Sequence, residues 1–445
     1  MEKKVLIVSY YFPPIGGAGT MRILKFIKYL PSFNWEPVVL TVKNPYSYMK
    51  DCSIEKEIKN NNNIFYTNAL LLGNFFRRFF KYKPKININN NKKVGLLKTI
   101  FAIFKKIFIF FKNIFYTLFF CPDEYIGWIP FAVKKGMKII KKKEIDIIFT
   151  SGPPNSVHLI GLLLKKITGK KWVIDCRDLW NQYCLNYNPY NIRIKSKIDE
   201  YMERAVLVNS DEIIVVSDIM KNQLLKRFPY IKNEKFTVIT NGYDPSDFEN
   251  IVPFIYKKKF VIIHYGTLFR WRKPDNFFKA LKNVIYKHAD FKNDILVVFM
   301  GIIHENTLKY VDSLGLNSYL EIINFKPYYE SLPYLKGADI FLLIPGELSF
   351  NKNMLTAKLF DYIGAGKPIL ALTVDGALKD LIEKYSLGIA VYNDNIGEIE
   401  NAIYKFYLDF RLKKDTYNPK DCSVFERKFI AKRLSELLDD VMKDN

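Results

Sequence analysis

Short, continuous apolar runs alternate with longer amphipathic stretches along most of this chain. The runs lie at residues 5–9, 36–41, 146–150, 172–176, 213–217 and 236–240, and then at 260–265, 295–300, 320–325, 340–344, 369–373 and 389–391. Apolar runs without alternation are typical of strands buried on both faces of a parallel sheet, and helices connect such strands. The pattern therefore predicts an α/β protein.

The alternation is interrupted in the irregular, basic interval 245–259, after which it starts again. A length of 445 residues agrees with a division there, because single cores seldom grow beyond about 250–300 residues. We predict a first domain over 1–248, a second over 249–422 and a terminal helix over 423–445. Two successive α/β halves of this kind are expected to leave a cleft between them.

The first strand leads into a glycine-rich turn that contains Gly16 and Gly17, and an amphipathic helix follows from Thr20 to Leu30. Its periodicity places Met21, Leu24, Ile27 and Leu30 inward and Arg22, Lys25 and Lys28 outward. Glycines let the backbone approach a ligand, and a helix N-terminus favours an anion. The same turn also suits a tight connection without a ligand.

A second candidate site lies late in the chain, at residues 355–369. The residues predict a short helix that begins near Thr356 and ends at the glycines 364 and 366. Lys358, Asp361 and Tyr362 share one face of that helix. The lysine suits diphosphate oxygens, and the carboxylate can accept two hydrogen bonds from a ribose diol. A surface helix with solvated charges is the simpler alternative.

Further polar residues follow predicted strands in the first half, among them Ser151, Asp178 and Asn241. The carboxyl ends of parallel strands meet at one edge of the sheet, where open α/β proteins bind ligands. These residues and the Gly16 turn are therefore expected at a common edge.

The net charge of +23 favours anionic partners, which include membranes, phosphorylated ligands and nucleic acids. No zinc-finger, basic-zipper or RNA-recognition signature is present, so nucleic acid is the weakest of the three. The five cysteines are odd in number and scattered, which argues against a disulfide framework or zinc site and for a reducing compartment. No signal peptide is visible, so we expect a cytoplasmic protein.

The segment 74–121 is unusually rich in phenylalanine and lysine. Within it, Lys98, Lys105 and Lys112 stand seven apart, so a helix over 95–120 would gather them into a polar stripe on an otherwise apolar surface. A bilayer span needs about 20 apolar residues, which the lysines interrupt. We predict a helix in the interface of the inner membrane, which would make the protein peripheral on the cytoplasmic face. A helix packed on the sheet is the alternative.

Several short motifs occur in order along the chain. They are Pro-Pro-x-Gly-Gly at 13–17 with Arg22, Pro-Asp-x-x-x-Gly-Trp at 122–128, Ser-Gly-Pro-Pro-x-Ser-x-His at 151–158, Asp-x-Arg-Asp-Leu-Trp at 175–180, Asn-Gly-Tyr-Asp at 241–244, Gly-Thr-Leu at 266–268 with Pro274, and Lys-Leu-Phe-Asp-Tyr-Ile-Gly-Ala-Gly-Lys-Pro at 358–368. Together they resemble the bacterial family 4 glycosyltransferases of the GT-B fold, and most of all those that build surface polysaccharides on a lipid carrier.

The resemblance implies two Rossmann-like domains that face each other across a cleft, with a C-terminal helix crossing back to the first domain. It implies a retaining transfer from a UDP- or GDP-sugar, held by the second domain, to a lipid-linked saccharide acceptor. Donor contacts would come from Gly16, Gly17, Arg272, Lys273, Lys358 and Asp361. Arg22, Ser151, His158 and Asn241 would line the acceptor side. No cofactor or metal is expected, because no Asp-x-Asp sits at a strand end.

The chain departs from the family pattern at two places. Asp361 stands where a glutamate is usual, and Asn353, eight positions earlier, replaces a second glutamate. The loop that carries a histidine in some members reads Ser-Gly-Pro-Pro at 151–154. Asp178 is the remaining catalytic candidate, with a buried carboxylate that braces Arg177 as the alternative. His158 is expected to serve packing before chemistry.

Two other functions fit the same residues. A sugar-nucleotide epimerase or hydrolase of the same fold would need acid and base groups around the cleft, and these are sparse. A membrane-surface binding protein with a decayed catalytic half is the other alternative, because of the missing glutamate.

Overall fold

The computed structural model describes residues 2–43, 45, 50–59, 61–70, 121–180, 193–268, 274–345, 355–414 and 417–443. The first sheet is parallel and seven-stranded, in the order β3-β2-β1-β4-β5-β6-β7. Its strands are β1 (Lys3–Ser9), β2 (Trp35–Val42), β3 (Ile64–Thr67), β4 (Ile147–Gly152), β5 (Lys171–Cys176), β6 (Glu212–Val215) and β7 (Phe236–Val238).

Helices connect these strands. They are α1 (Ala18–Tyr29), α2 (Ile129–Lys143), α3 (Ser156–Thr168), α4 (Arg193–Asn209) and α5 (Asp218–Arg227), and the short α6 (Pro245–Phe248) follows β7. Short 3₁₀-helices lie at Leu30–Phe33, Cys52–Ile58, Ile126–Trp128 and Asn233–Lys235. The five inner strands are buried almost throughout, which explains their continuous apolar sequences.

The second sheet is also parallel, with six strands in the order β10-β9-β8-β11-β12-β13. The strands are β8 (Phe260–Tyr265), β9 (Ile295–Met300), β10 (Leu320–Ile323), β11 (Ile340–Leu343), β12 (Ile369–Thr373) and β13 (Gly388–Tyr392). The helices are α7 (Asp275–Lys287), α8 (Ala289–Asp294), α9 (Glu305–Ser313), α10 (Tyr328–Gly337), α11 (Ala357–Ala365), α12 (Ala377–Lys384), α13 (Ile396–Arg411) and α14 (Arg427–Lys443), with shorter turns at Asn317–Tyr319 and Ser423–Phe425.

These two sheets confirm the predicted fold class, whereas the boundaries at 248 and 422 stay predictions. β3 has no counterpart among the predicted strands. The strand order of each sheet reverses at one point, between β1 and β4 in the first and between β8 and β11 in the second. In open parallel sheets, ligands bind beyond the carboxyl ends of strands at such a switch point.

The last helix, α14, returns to the first domain. Its residues Leu434 and Leu438 are buried in one cluster with Ile23 and Phe26 of α1. The indole nitrogen of Trp35 donates a hydrogen bond to Asp439 at 2.9 Å. The helix is thus packed against α1, as the resemblance implied.

The helix α1 corrects one sequence expectation. Arg22 and Lys25 were predicted on its outer face, yet both are essentially inaccessible to solvent. The reason is that α1 is covered twice, on one side by the sheet and on the other by α14 and the segment between the domains. A helix with two buried faces does not show the single apolar stripe on which the expectation rested.

Several polar contacts join the two domains. The hydroxyl of Tyr328 donates to Asp247 at 3.3 Å, and the hydroxyl of Tyr329 donates to Glu57. The carboxylate of Asp51 accepts the backbone N–H of Tyr328, at the start of α10, at 2.7 Å. Asp51 thereby satisfies an unpaired donor at the N-terminus of a helix in the other domain.

The predicted membrane segment 74–121 lies outside the described residues except for Cys121. Among the helices that are described, none is long and apolar enough to cross a bilayer.

Candidate active site

The switch point of the second sheet is built around a glycine. β8 ends at Tyr265, and Gly266 follows with a φ of +109°, a conformation that other residues adopt at a cost. A Cβ at this position would lie 2.4 Å from Cε of Lys358. Gly266 therefore lets the Lys358 side chain lie directly over the end of β8.

A buried histidine fixes the position of Lys358. Nδ1 of His264 lies 2.9 Å from the carbonyl oxygen of Leu342, which can only accept, so Nδ1 carries the hydrogen. Nε2 then presents its lone pair, and the ammonium of Lys358 lies 3.4 Å from it. Nothing in the sequence pattern singled out His264, because a histidine within an apolar strand has the appearance of a core residue.

The helix α11 begins and ends close to where the sequence predicted, with Gly366 closing it at a φ of 72°. Two details differ. Thr356 occupies the N-cap position but makes no side-chain capping bond. Tyr362 is fully buried, its hydroxyl accepts the N–H of Tyr265 at 2.9 Å, and its ring stacks on Phe341 at 4.3 Å. Tyr362 thus anchors α11 to the sheet and does not share the half-buried face of Lys358 and Asp361.

Asp361 lies beside this site and is half-buried. Burial raises the pKa of its carboxyl to about 7, with Arg427 and Lys358 opposing the shift. Within the described part of the chain, no group donates a hydrogen bond to this carboxylate. A partly accessible carboxylate without a partner is available to a ligand that brings two donors.

The switch point of the first sheet lies at the glycine turn after β1. Gly17 has a φ of 110°, and the space around its absent side chain is open. Gly16 packs on Asp51, whose Cβ would be 2.9 Å from a Cβ at 16. Gly19 lies under Arg177, with a guanidinium nitrogen only 1.6 Å from the place of a Cβ. Gly17 is thus the open position of this turn.

Behind the turn lies a closed polar network centred on Asp175 at the end of β5. Its carboxylate accepts hydrogen bonds from Arg22 at 3.0 and 2.8 Å and from Ser151 at 2.6 Å. Arg22 also donates to the carbonyls of Ile239 and Thr240. All three side chains are fully buried. The structure therefore places Arg22 and Ser151 inside the domain, where a ligand would have to displace existing partners to reach them.

His158, in the first turn of α3, is also buried. Its Nδ1 lies 2.9 Å from the hydroxyl of Thr150, and its ring packs against Gly152. Burial lowers the pKa of the imidazole to about 4, so it is neutral at physiological pH. These contacts fit the packing role expected from the sequence.

Two family models match this chain. The model described as Glycosyltransferase Family 4 matches residues 111–247, and the model described as Glycosyl transferases group 1 matches residues 246–418. The matches adjoin where the first sheet gives way to the second. The chain is a glycosyltransferase of the GT-B fold.

Solved structures share the whole fold of this glycosyltransferase. Sucrose-phosphate synthase from Thermosynechococcus elongatus superposes with a TM-score of 0.65 at 12% identity, covering 100% of both chains. WaaG, a glycosyltransferase involved in lipopolysaccharide biosynthesis, has a TM-score of 0.56 at 14% identity, covering 98% of this chain and 95% of its own. The UDP-GlcNAc 2-epimerase from Methanocaldococcus jannaschii has a TM-score of 0.52 at 14% identity, covering 98% and 99%. No curated protein matches by sequence.

The glycosyltransferase brings some of the predicted site residues together and separates others. Lys358 and Asp361 share the second switch point, whereas Arg272, Lys273 and Asn353 lie outside the described residues. Asp178 is half-buried, and burial raises the pKa of its carboxyl while Arg177 opposes the shift.

Neither Asp178 nor Asn241 is tied into the Asp175 network. Arg177 uses its own donors on the carbonyls of Gly152 and Pro153, at 3.0 and 2.5 Å, so its guanidinium is held by the backbone. The side-chain oxygen of Asn241 is buried without a hydrogen-bond partner among the described residues. The roles assigned to Asp178 and Asn241 stay predictions.

Proposed function

We propose that this glycosyltransferase moves a sugar from a UDP- or GDP-sugar, held by the second domain, to a lipid-linked saccharide at the membrane surface during surface polysaccharide biosynthesis. The observation that carries the proposal is the second switch point. There a lysine lies over a glycine at the end of β8, and a carboxylate without a described partner stands beside it.

The donor would bind with its diphosphate toward Lys358 and the N-terminus of α11, and with its ribose toward Asp361. The cation and the helix end both favour phosphate oxygens. The ribose diol supplies two donors to a carboxylate that lacks them. Arg272 and Lys273 would complete the diphosphate contacts, as the resemblance implies.

The reaction breaks the bond between the anomeric carbon and the diphosphate oxygen and forms a bond from that carbon to an acceptor hydroxyl oxygen. The acceptor proton passes to the departing diphosphate, so charge balances without another reactant. Negative charge develops on the diphosphate as it leaves, and preorganised cations stabilise it most in a site that excludes water. We propose that this occurs with retention of configuration and without a metal.

A membrane-bound acceptor is supported by one surface of the first domain. On α2, Phe131, Lys134, Lys138 and Lys141 are exposed, and on the adjoining α3 so are Leu163, Lys166 and Ile167. Lysines around exposed apolar side chains suit anionic lipid headgroups, each lysine contributing roughly 1 kcal/mol near such a surface. The helix α2 begins at Ile129, a short distance in the chain after the predicted interfacial helix 95–120.

The epimerase alternative has less support in the described site. An epimerase or hydrolase needs groups that exchange protons with the substrate. His158 is buried and neutral, and Asp175 is bonded to Arg22 and Ser151. Because the epimerase neighbour shares only the fold at 14% identity, its activity does not transfer to this chain.

Transfer into lipid tests the proposal. The purified protein is incubated with radiolabelled UDP- and GDP-sugars and a membrane extract, and the label is followed into lipid and into free sugar. We expect label in the lipid fraction with the wild-type chain and none with Lys358→Ala. Release of free sugar, or no turnover with any donor, contradicts the proposal and favours hydrolase or binding-protein function respectively.

Membrane association is tested separately by flotation with vesicles that contain anionic lipid. Replacing Phe108, Phe111 and Phe115 by Ser should release the protein if 95–120 lies in the interface. In the otherwise unchanged chain, replacing Lys134, Lys138 and Lys141 by Ser should weaken the salt-sensitive part of the association. A protein that floats unchanged after both replacements is not held by this region.

A further inference from the structure

The first residue of the crossing helix, Arg427, is buried beside the donor site. Only 5% of its surface is exposed, and its Nη1 atom has no hydrogen-bond partner among the described residues. Buried arginines are normally paired, as Arg22 is with Asp175. An unpaired guanidinium at this depth therefore calls for a reason other than packing.

The backbone fixes where Arg427 lies. Its N–H donates to the carbonyl of Tyr243 at 2.8 Å, and the N–H of Tyr243 donates to Phe425 at 3.0 Å, which joins the start of α14 to the loop after β7. Gly242 allows this approach, because a Cβ there would lie 2.1 Å from the carbonyl oxygen of Phe425. The position of Arg427 is thus set by the first domain.

A ring contact brings the same segment against the donor helix. Phe425 and Phe360 meet edge to face with centroids 5.4 Å apart. Phe360 directly precedes Asp361 on α11, and Phe425 stands two residues before Arg427. Arg427 and Lys358 both lower the pKa of the Asp361 carboxyl. Arg427 has the larger effect, although Lys358 lies on the same helix as Asp361.

We propose that Arg427 is a positioning residue for the donor, which favours the ionised form of the Asp361 carboxylate and so makes it available to both ribose hydroxyls. The inference rests on the proposed function, because it assigns Asp361 to the ribose. The carboxylate and the guanidinium do not form a contact ion pair in the described structure, so both oxygens of Asp361 can accept hydrogen bonds from a ligand. The positive charge of Arg427 acts on the carboxylate through space and lowers its pKa.

The expected pH dependence follows from the charges that face Asp361. These are Arg427 of α14, Lys358 of α11, Asp247 of α6, Tyr265 of β8 and Tyr328 of α10. Burial and Asp247 raise the pKa of Asp361, and the two cations lower it. Ribose binding should therefore strengthen as the pH rises through about 7. Removing the charge of Arg427 raises the pKa further and moves this midpoint upward.

Calorimetric binding of UDP and GDP, and of their 2′-deoxy forms, tests the inference. At pH 7 we expect Arg427→Gln to weaken binding of the ribonucleotide roughly fivefold, which is the loss of ionised carboxylate when a pKa of about 7 rises by one unit. Binding of the 2′-deoxynucleotide should weaken less, because only its 3′-hydroxyl can reach the carboxylate. The deficit should shrink toward pH 9. Arg427→Lys should keep the wild-type midpoint because it keeps the charge. Arg433→Gln, an exposed position on the same helix, is the matched control.

The double variant with Asp361→Asn separates the possible failures. In that background Arg427→Gln should have no further effect on ribonucleotide binding. An equal loss for ribo- and deoxynucleotide, or a full loss in the Asp361→Asn background, overturns the inference. If Asp361→Asn itself leaves the preference for ribose intact, or neither diphosphate binds the wild type, the proposed function fails. If Arg427→Gln does not fold, the pH dependence of ribonucleotide binding to Arg427→Lys is the test. A binding midpoint at higher pH than in the wild type would then contradict the role of the charge.

Discussion

The two switch points of this glycosyltransferase have the same topology and opposite polar chemistry. In the first sheet, Asp175 is fully buried and accepts from both Arg22 and Ser151. In the second, Asp361 is half-buried, and no described group donates to it. A carboxylate at the end of a parallel strand or its following helix is therefore not a ligand site by position alone. A carboxylate in a ligand site has unused hydrogen-bonding capacity, whereas a structural carboxylate is already paired with residues of the protein.

The difference has an energetic side. A buried carboxylate with two strong partners is stabilised as an anion, whereas one without partners is destabilised, and its pKa rises. Binding sites commonly retain such unfavourable groups because function requires them. The comparison predicts that substitutions at the first switch point affect stability and those at the second affect ligand binding.

The largest effect is expected from Arg22→Ala. It leaves Asp175 as a buried charge without its cation, which typically costs about 3–5 kcal/mol. Urea unfolding should show a lower midpoint concentration for the variant than for the wild type. Asp361→Ala serves as the control and should not lower stability. If Arg22→Ala unfolds like the wild type, the first switch point is not the closed network described above.

Lys358→Ala should act on turnover and not on the fold. Removing one group that stabilises developing charge commonly costs about 10²–10³ in rate. Sugar transfer is measured in the lipid assay, and the melting temperature is expected to stay near that of the wild type. Lys309→Ala removes an exposed lysine that is paired with Glu305 on the same helix, and it should leave both unchanged. Wild-type turnover of Lys358→Ala would refute the diphosphate assignment.

Asp361→Asn should stabilise the protein at high pH while weakening nucleotide binding. The folded pKa of about 7 exceeds the ordinary 3.8, so the folded state holds a proton that the unfolded state releases between these values, and stability falls as the pH rises through them. The variant lacks this penalty and should melt a few degrees higher at pH 8 but equally near pH 3.5. Thermal scans at the two pH values check this, and a variant that is less stable at pH 8 contradicts it.

The smallest effect is expected from Ser151→Ala. It removes one of the donors to Asp175 but leaves the Arg22 ion pair, which should cost about 1 kcal/mol. Binding of nucleoside diphosphate should be unchanged. A marked loss of acceptor transfer with normal stability would instead support the acceptor-side role predicted for Ser151 from the sequence.

Much of the fold could be predicted because its signal is local. Continuous apolar runs identify strands that are buried on both faces, and the helix Ala357–Ala365 ends at a glycine with positive φ, which the residue type indicates. β3 was missed because its four residues are short and only partly buried at the sheet edge. Arg22 and Lys25 were misplaced because periodicity reveals one buried face, whereas α1 has two.

The site depended on contacts between distant residues, which local patterns do not contain. The sequence indicated Lys358 and Asp361 but could not show that Lys358 lies over Gly266 or pairs with His264. Tyr362 shares helical spacing with them yet points into the sheet, because its hydroxyl reaches the backbone of Tyr265. No sequence pattern indicated a role for Arg427, because Asp361, which lies near it in the fold, is 66 positions away in the sequence.

The return of α14 to the first domain means that this domain cannot complete its packing until the end of the chain has been synthesised. The last strand of the first sheet ends at Val238, but the cover over α1 comes only with Arg427–Lys443. At synthesis rates of about 5–20 residues per second, roughly 10–40 seconds separate the two on the ribosome. During that interval Ile23 and Phe26 lack their final partners, so the nascent first domain presents an apolar surface that chaperones can bind.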